Sequence, residues 1–145
     1  MFDNKSILIT GGTGFIGSFF ANEVKKKYGH AKIYLLDIES FSEKDSEYRL
    51  SLIEENDSFE YIKIDVRNKI DWLPEEKVIL IANFAAVHRE PGHEAKEYYE
   101  TNILGAENIC SWAEQIKCDT IIFSSSISIY GSSNESKNEN YLASP

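Results

Sequence analysis

Two hydrophobic rhythms alternate along this chain. Ser6 to Thr10 is a short run of β-favouring residues that stops at glycines. From Phe15 to Tyr28 the rhythm turns helical, with Ile16, Phe20 and Val24 at i, i+4 and i+8. Lys25, Lys26 and Lys27 fall in its last turn, where cations suit the helix dipole, and Gly29 is a natural stop. Ala31 to Asp37 reads as a second strand, Glu43 to Glu55 as an exposed helix, and Phe59 to Val66 as a third, alternating strand. A connector with Trp72 and Pro74 leads to Lys77–Ala86, whose nearly continuous apolar run is that of a strand covered on both faces. Glu94 to Lys117 predicts one long helix and Asp119 to Ser125 a fifth strand. Ser132 to Pro145 is polar and aperiodic and reads as loop. Strands alternating with helices imply parallel strands joined by right-handed crossovers, hence an α/β fold.

Composition narrows the class of molecule. The 145 residues are 42% hydrophobic and 27% charged, values of a packed domain and not of a disordered chain. Fifteen Lys and Arg against 24 Asp and Glu leave a formal charge of −9, which disfavours a protein that tracks nucleic-acid phosphates. No apolar run approaches the roughly 18 residues that cross a bilayer. The start, Met-Phe-Asp-Asn-Lys-Ser, lacks the form of a secretory leader, so no membrane association and a cytoplasmic location are the expectations. Cys110 and Cys118 on one helix would stand about 12 Å apart along its axis, too far for a disulfide. They read as free thiols.

Candidate chemistry begins at the glycines. Half of the eight fall between Gly11 and Gly17, in the run Thr10-Gly11-Gly12-Thr13-Gly14-Phe15-Ile16-Gly17. A strand precedes this run and a helix follows it. That is the setting in which backbone N–H groups at a helix N-terminus bind a pyrophosphate, and in which missing Cβ atoms let it approach. The plain alternative is a flexible turn. Asp37 ends the second strand 20 residues after Gly17, where a carboxylate accepts from ribose hydroxyls and repels a 2′-phosphate. No Arg follows closely, which favours NAD over NADP.

With these motifs the sequence resembles the extended short-chain dehydrogenase/reductase family, specifically the NAD-dependent nucleotide-sugar epimerases and dehydratases. The resemblance spans nearly the whole chain. It rests on the glycine run, Asp65-Val66, Asn83-Phe84-Ala85-Ala86, Thr101-Asn102 with Gly105, and Ser124-Ser125-Ser126 with Tyr130-Gly131, in that order. It implies a Rossmann-type doubly wound sheet of about five parallel strands in the order 3-2-1-4-5, with NAD as cofactor and a nucleotide sugar as substrate. The cofactor positions it implies are Gly11, Gly14, Phe15, Ile16, Gly17 and Asp37, then Asp65 and Val66 at the adenine. Phe84, Ala85, Ala86, Val87 and His88 follow at the end of the fourth strand, and Asn102 on the long helix. Ser126 is the implied catalytic residue, bonding the reacting sugar oxygen. His88, Arg89, Glu90, His93 and Glu94 cluster after the fourth strand but lack a ligand spacing, so no metal is expected and a substrate-side loop is the better reading.

The sequence departs from the family at the base. The family's Tyr-x-x-x-Lys should follow the serines, yet Tyr130 is followed four residues on by Asn134 and Tyr141 by Pro145. Tyr28 and Lys32 have the spacing but precede the serines. The expectation is an incomplete NAD-binding Rossmann domain over 1–131. Residues 132–145 would then be a loop leading toward a catalytic helix and substrate domain absent from these residues. The alternative is a catalytically silent, free-standing NAD-binding module. On the long helix Tyr99, Ile103, Ala106, Cys110 and Ala113 form one apolar stripe, and Gly105, Ile109, Trp112 and Ile116 another. Two stripes exceed what one covered face needs. The expectation is a homodimer or looser oligomer through the Tyr99–Lys117 helix, with two places open to Trp112: anchor of that contact, or packed within the subunit.

Overall fold

The computed structural model describes residues 5–40, 59–88, 92–132 and 135–143. Its strands are β1 (Lys5–Thr10), β2 (Lys32–Asp37), β3 (Phe59–Lys63), β4 (Lys77–Asn83) and β5 (Ile121–Phe123). They pair in parallel in one sheet, in the order β3-β2-β1-β4-β5. The strand order reverses between β1 and β4, so the loops that follow them part to opposite faces and leave a crevice at the C-terminal edge.

The apolar runs are continuous because both faces of the sheet are covered. In β1 and β2 every residue after the first is buried. Successive side chains point to opposite faces. Ile7, Ile9, Ile33 and Leu35 therefore pack with Ala21 and Val24 of α1 (Phe15–Lys27). Leu8, Tyr34, Leu36 and Ile81 pack on the other face with Ile109, Trp112 and Ala113.

The buried face of α1 is Gly17, Ser18, Ala21 and Val24, which corrects the expected stripe in one position: Ile16 is 58% exposed and lies at the crevice. Small inward residues hold the helix close. A Cβ on Gly17 would come 2.3 Å from the Gly11 carbonyl oxygen, so this glycine packs against the glycine loop itself and not simply against β1.

The strands are shorter than the pattern implied. β3 stops at Lys63 and not Val66, β4 at Asn83 and not Ala86, and β5 covers only Ile121–Phe123. Each ladder carries one further backbone bond past these ends, from Ile64 N–H to the Asp37 carbonyl, Phe84 N–H to the Thr10 carbonyl and Ser124 N–H to the Asn83 carbonyl, and the residues that follow line the crevice. The expected Glu43–Glu55 helix, with Arg89 and Glu90, lies outside the described residues.

The long helix is not uniform. It comprises α2 (Ala95–Tyr98), a π-helical turn (Tyr99–Leu104) and α3 (Gly105–Gln115). Glu94 and Glu97 close a reciprocal capping box at its start. At its end Lys117 N–H donates to the Glu114 carbonyl and Cys118 N–H to the Ala113 carbonyl, with Lys117 in the left-handed region at φ 55°. That is a Schellman motif. Cys110 is exposed and Cys118 buried, both as free thiols.

Trp112 is 1% exposed, and its indole N–H donates to the Trp72 carbonyl at 2.9 Å. Its ring lies 6.0 Å from that of Trp72, which packs edge-on against Tyr34 at 4.9 Å. Of the two places open to Trp112, packing within the subunit is the one observed and the surface anchor is not: the stripe through Ile109 and Trp112 is the one that covers the sheet. Burial, then the hydrogen bond to Glu76 (2.7 Å), push the Tyr34 phenol well above its usual range. Among the described residues no helix is long and apolar enough to cross a membrane.

Candidate functional site

A cleft of about 940 Å³ opens at the C-terminal edge of the sheet, lined by the ends of all five strands and by the helical segment 95–104. The sequence-expected positions all border it: Gly11, Gly14, Phe15, Ile16, Gly17, Asp37, Asp65, Val66, Phe84, Ala85, Ala86, Val87, His88, Asn102 and Ser126. Residues up to 115 positions apart in sequence meet there because parallel strands bring every βα loop to one edge.

The glycine loop forms the floor. Gly11 has φ +67°, and a Cβ on it would meet the Phe84 carbonyl carbon at 2.6 Å, so the loop sits directly on the end of β4. The N-terminus of α1 has no side-chain cap and no acidic residue in its first turn. Its first amides therefore lack intrahelical acceptors and present the positive end of the helix dipole. This cradle fits a dinucleotide pyrophosphate, and Phe15 and Ile16 border its mouth.

Asp37 lies beside the loop, 8% exposed. One carboxylate oxygen accepts from Thr13 N–H (3.2 Å) and Thr13 hydroxyl (2.8 Å), the other from Ile38 N–H (2.9 Å). Its charge thus holds the glycine loop in shape as well as facing the cleft. At the next strand end Asp65 is gripped by Arg67. The Arg67 Nε donates to both carboxylate oxygens (2.9 and 3.0 Å), Nη2 to one (2.6 Å), and its backbone N–H to the other (3.0 Å). These hydrogen bonds hold the Asp65 carboxyl below its usual range despite partial burial.

The opposite wall is the end of β4. The Asn83 side-chain oxygen accepts from the Thr10 hydroxyl (2.5 Å) and Ala85 N–H (3.2 Å), joining β1 to the turn that follows β4. Asn102 accepts from Val87 N–H (2.9 Å) and donates to its carbonyl (3.0 Å), so this amide supports the wall. Ser126 caps the 3₁₀ turn Ile127–Tyr130, accepting from Ser128 N–H (3.1 Å) and bonding the Ser128 hydroxyl (3.0 Å). At the rim His93 Nδ1 lies 3.3 Å from Glu97, whose carboxyl is held low, chiefly by the Glu94 N–H. Among the described residues no three metal-capable side chains converge.

Sequence reasoning passed over three residues of this site. Arg67 stands two places after Asp65, and only its fork geometry reveals the pairing. Glu97 was read by no motif, although its place three after Glu94 is a capping-box spacing. Asn108 does not itself line the cleft. Its amide donates to the Val66 carbonyl at 2.8 Å, a contact across 42 residues. The Tyr28/Lys32 pair lies at the other end of the sheet: Tyr28 follows α1, and Lys32 is the first residue of β2.

Known proteins carry the same pattern. The bifunctional protein GAL10 of Candida maltosa is 31% identical over 131 residues, covering 86% of this chain and 83% of that protein. The dTDP-D-glucose 4,6-dehydratase of Dictyostelium discoideum is 28% identical, covering 97% of this chain and 36% of that protein. Among solved structures, the dTDP-glucose 4,6-dehydratase of Bacillus anthracis in complex with NAD superposes with a TM-score of 0.75 at 26% identity, over 97% of this chain and 44% of that one. The chain thus spans less than half the length of these dehydratases. Residues 7–145 match the NAD dependent epimerase/dehydratase family, whose cofactor is NAD, and with the sheet order and the cleft described above this places the chain in that family.

Proposed function

We propose that this chain forms the NAD-binding part of a nucleotide-sugar epimerase or dehydratase working in the cytoplasm. The observation that carries the reading is the convergence in one cleft of the uncapped start of α1, Asp37, Asp65-Val66 and Ser126. Relatives named for UDP-glucose epimerisation and dTDP-glucose dehydration support the substrate class. Bound NAD supplies the hydride acceptor for such chemistry. The protein's own part is to bind and orient. The first amides of α1 take the pyrophosphate, Asp37 the ribose hydroxyls, and Asp65 with the Val66 backbone the adenine. Asn102 holds the Val87 peptide against which the nicotinamide half would lie. Ser126, at the end of β5, is placed to bond a sugar oxygen.

Calorimetry with NAD⁺ and NADP⁺ tests this. NAD⁺ should bind and NADP⁺ should bind more weakly, because Asp37 opposes a 2′-phosphate. Equal or tighter NADP⁺ binding would sink the assignment. No Tyr-x-x-x-Lys follows Ser126 in the 145 residues, so these residues alone should bind cofactor without turning over a nucleotide sugar. The same fact favours the second reading, a catalytically silent NAD-binding module. Conversion of a nucleotide sugar by the purified 145 residues, lost in Ser126→Ala, would overturn both expectations of silence. Self-association through the Tyr99–Lys117 stretch belongs to this proposal, now by way of Tyr99 and Ile103, which are 56% and 48% exposed.

A further inference from the structure

Two asparagines on the segment 95–115 grip opposite walls of the cleft. Asn102 bonds both polar groups of Val87, and Asn108 donates to the Val66 carbonyl at 2.8 Å. Six residues of regular α-helix turn through about 240°, so the two amides leave the helix in different directions. The π-helical turn between α2 and α3 adds a residue to the spiral and sets their relative phase. Between them Gly105 faces Val66: a Cβ there would come 2.9 Å from the Val66 Cγ2.

The peptide joining Val66 to Arg67 is the one these contacts hold. β3 ends at Lys63, so the sheet ladder does not reach it. Its carbonyl is bound by Asn108, and its N–H donates to Asp65 at 3.0 Å. We infer that Asn108 is a positioning residue for the adenosine end of the cofactor cleft, acting from behind by locking the 66–67 peptide plane that presents both Val66 and the Asp65 carboxylate. This rests on the NAD reading above. Loss of the Asn108 donor leaves the carbonyl without its partner and lets the plane rotate, which displaces the Val66 surface and the Asp65 acceptor together.

The test replaces the donor with a group whose donor can be switched. In Asn108→Asp an ionised carboxylate faces the Val66 carbonyl at pH 7.5. The protonated acid donates again at low pH, and its partly buried setting raises the pH at which that happens. Titration calorimetry with NAD⁺ and with ADP should show both ligands about tenfold weaker than for the unmodified chain at pH 7.5, and within about threefold at pH 5, each ratio taken at one pH. Asn108→Ala removes the donor without a titrating group and should bind about fivefold weaker at both pH values. A purely structural role would lower thermal stability and leave the affinity ratio of Asn108→Asp to the parent independent of pH. Parent-like affinity of either variant at pH 7.5, or an equal loss at both pH values in Asn108→Asp, overturns the role of Asn108. Failure of the unmodified chain to bind NAD⁺ or ADP overturns the cofactor reading, and this inference with it.

Discussion

Asp37 is both a scaffold residue and a recognition residue. Its carboxylate ties Thr13 to the end of β2, so Asp37→Ala should do more than relax cofactor choice. We expect a stability loss of about 2–3 kcal/mol by chemical denaturation, from charge-assisted hydrogen bonds left unmade, together with a smaller NAD⁺-over-NADP⁺ preference. Gly17 is constrained differently. A methyl there meets a backbone oxygen at 2.3 Å, and neither side can rotate away. Gly17→Ala should cost about 1–3 kcal/mol and abolish calorimetric NAD⁺ binding, because relief must come from moving the glycine loop. Asp65 carries the pH dependence at this scale. Its folded carboxyl is depressed by Arg67, so the pair's contribution is complete above the unfolded value of about 3.9 and is lost as pH falls through the lowered folded value. Arg67→Met should move the Asp65 titration midpoint, followed by carboxyl-carbon NMR, upward toward the ordinary range. An unmoved midpoint would mean that Arg67 does not set it.

Among the elements, the segment 95–115 joins cleft to core, and its two ends obey different rules. Its C-terminus closes with a lysine where the left-handed conformation suits glycine. Lys117→Gly should therefore raise stability by about 0.5–1 kcal/mol, read from the shift in denaturation midpoint. Its inner stripe, through Ile109 and Trp112, is core. Trp112→Ala should cost about 3–5 kcal/mol, since a buried ring and its bond to the Trp72 carbonyl go together. That result also disqualifies Trp112 substitutions as probes of association, because they attack the fold first. Ile103→Glu is the better probe. The side chain is half exposed, so stability should stay within about 0.5 kcal/mol, while sedimentation at micromolar concentration should show a dimer lost. A monomeric unmodified chain would sink the association proposal. The helical period predicted this segment as one helix because spacing alone cannot register one residue more per turn. The π-helical turn lies where Asn102 reaches Val87 and Gly105 packs on Val66, residues in the turns after β4 and β3.

At the scale of the whole molecule, local chemistry was sufficient for the elements and their order. Alternating rhythms marked β1, α1, β2, β3, β4 and β5 in the described residues, because continuous apolar strands are the direct consequence of helices on both faces of a sheet. The glycine run and Asp37 were legible because a pyrophosphate cradle and a ribose acceptor each need particular residue types at fixed local offsets. What lay beyond reach was every decision made across the sheet. Which apolar stripe of the 95–115 segment faces inward depends on Trp72 and Tyr34, far away in sequence. How the turns after β3 and β4 are held depends on amides of Asn108 and Asn102 arriving from a later helix. Arg67 becomes the clasp of Asp65 only once the turn after β3 has its shape. The sequence by itself determined the periodicities, the turn chemistry and the types of group at each strand end, since these depend on neighbours within a few residues. Tertiary structure alone decided the walls of the cleft, because a side chain's hydrogen-bond partner 15 or 42 residues away is set by how strands and helices stack.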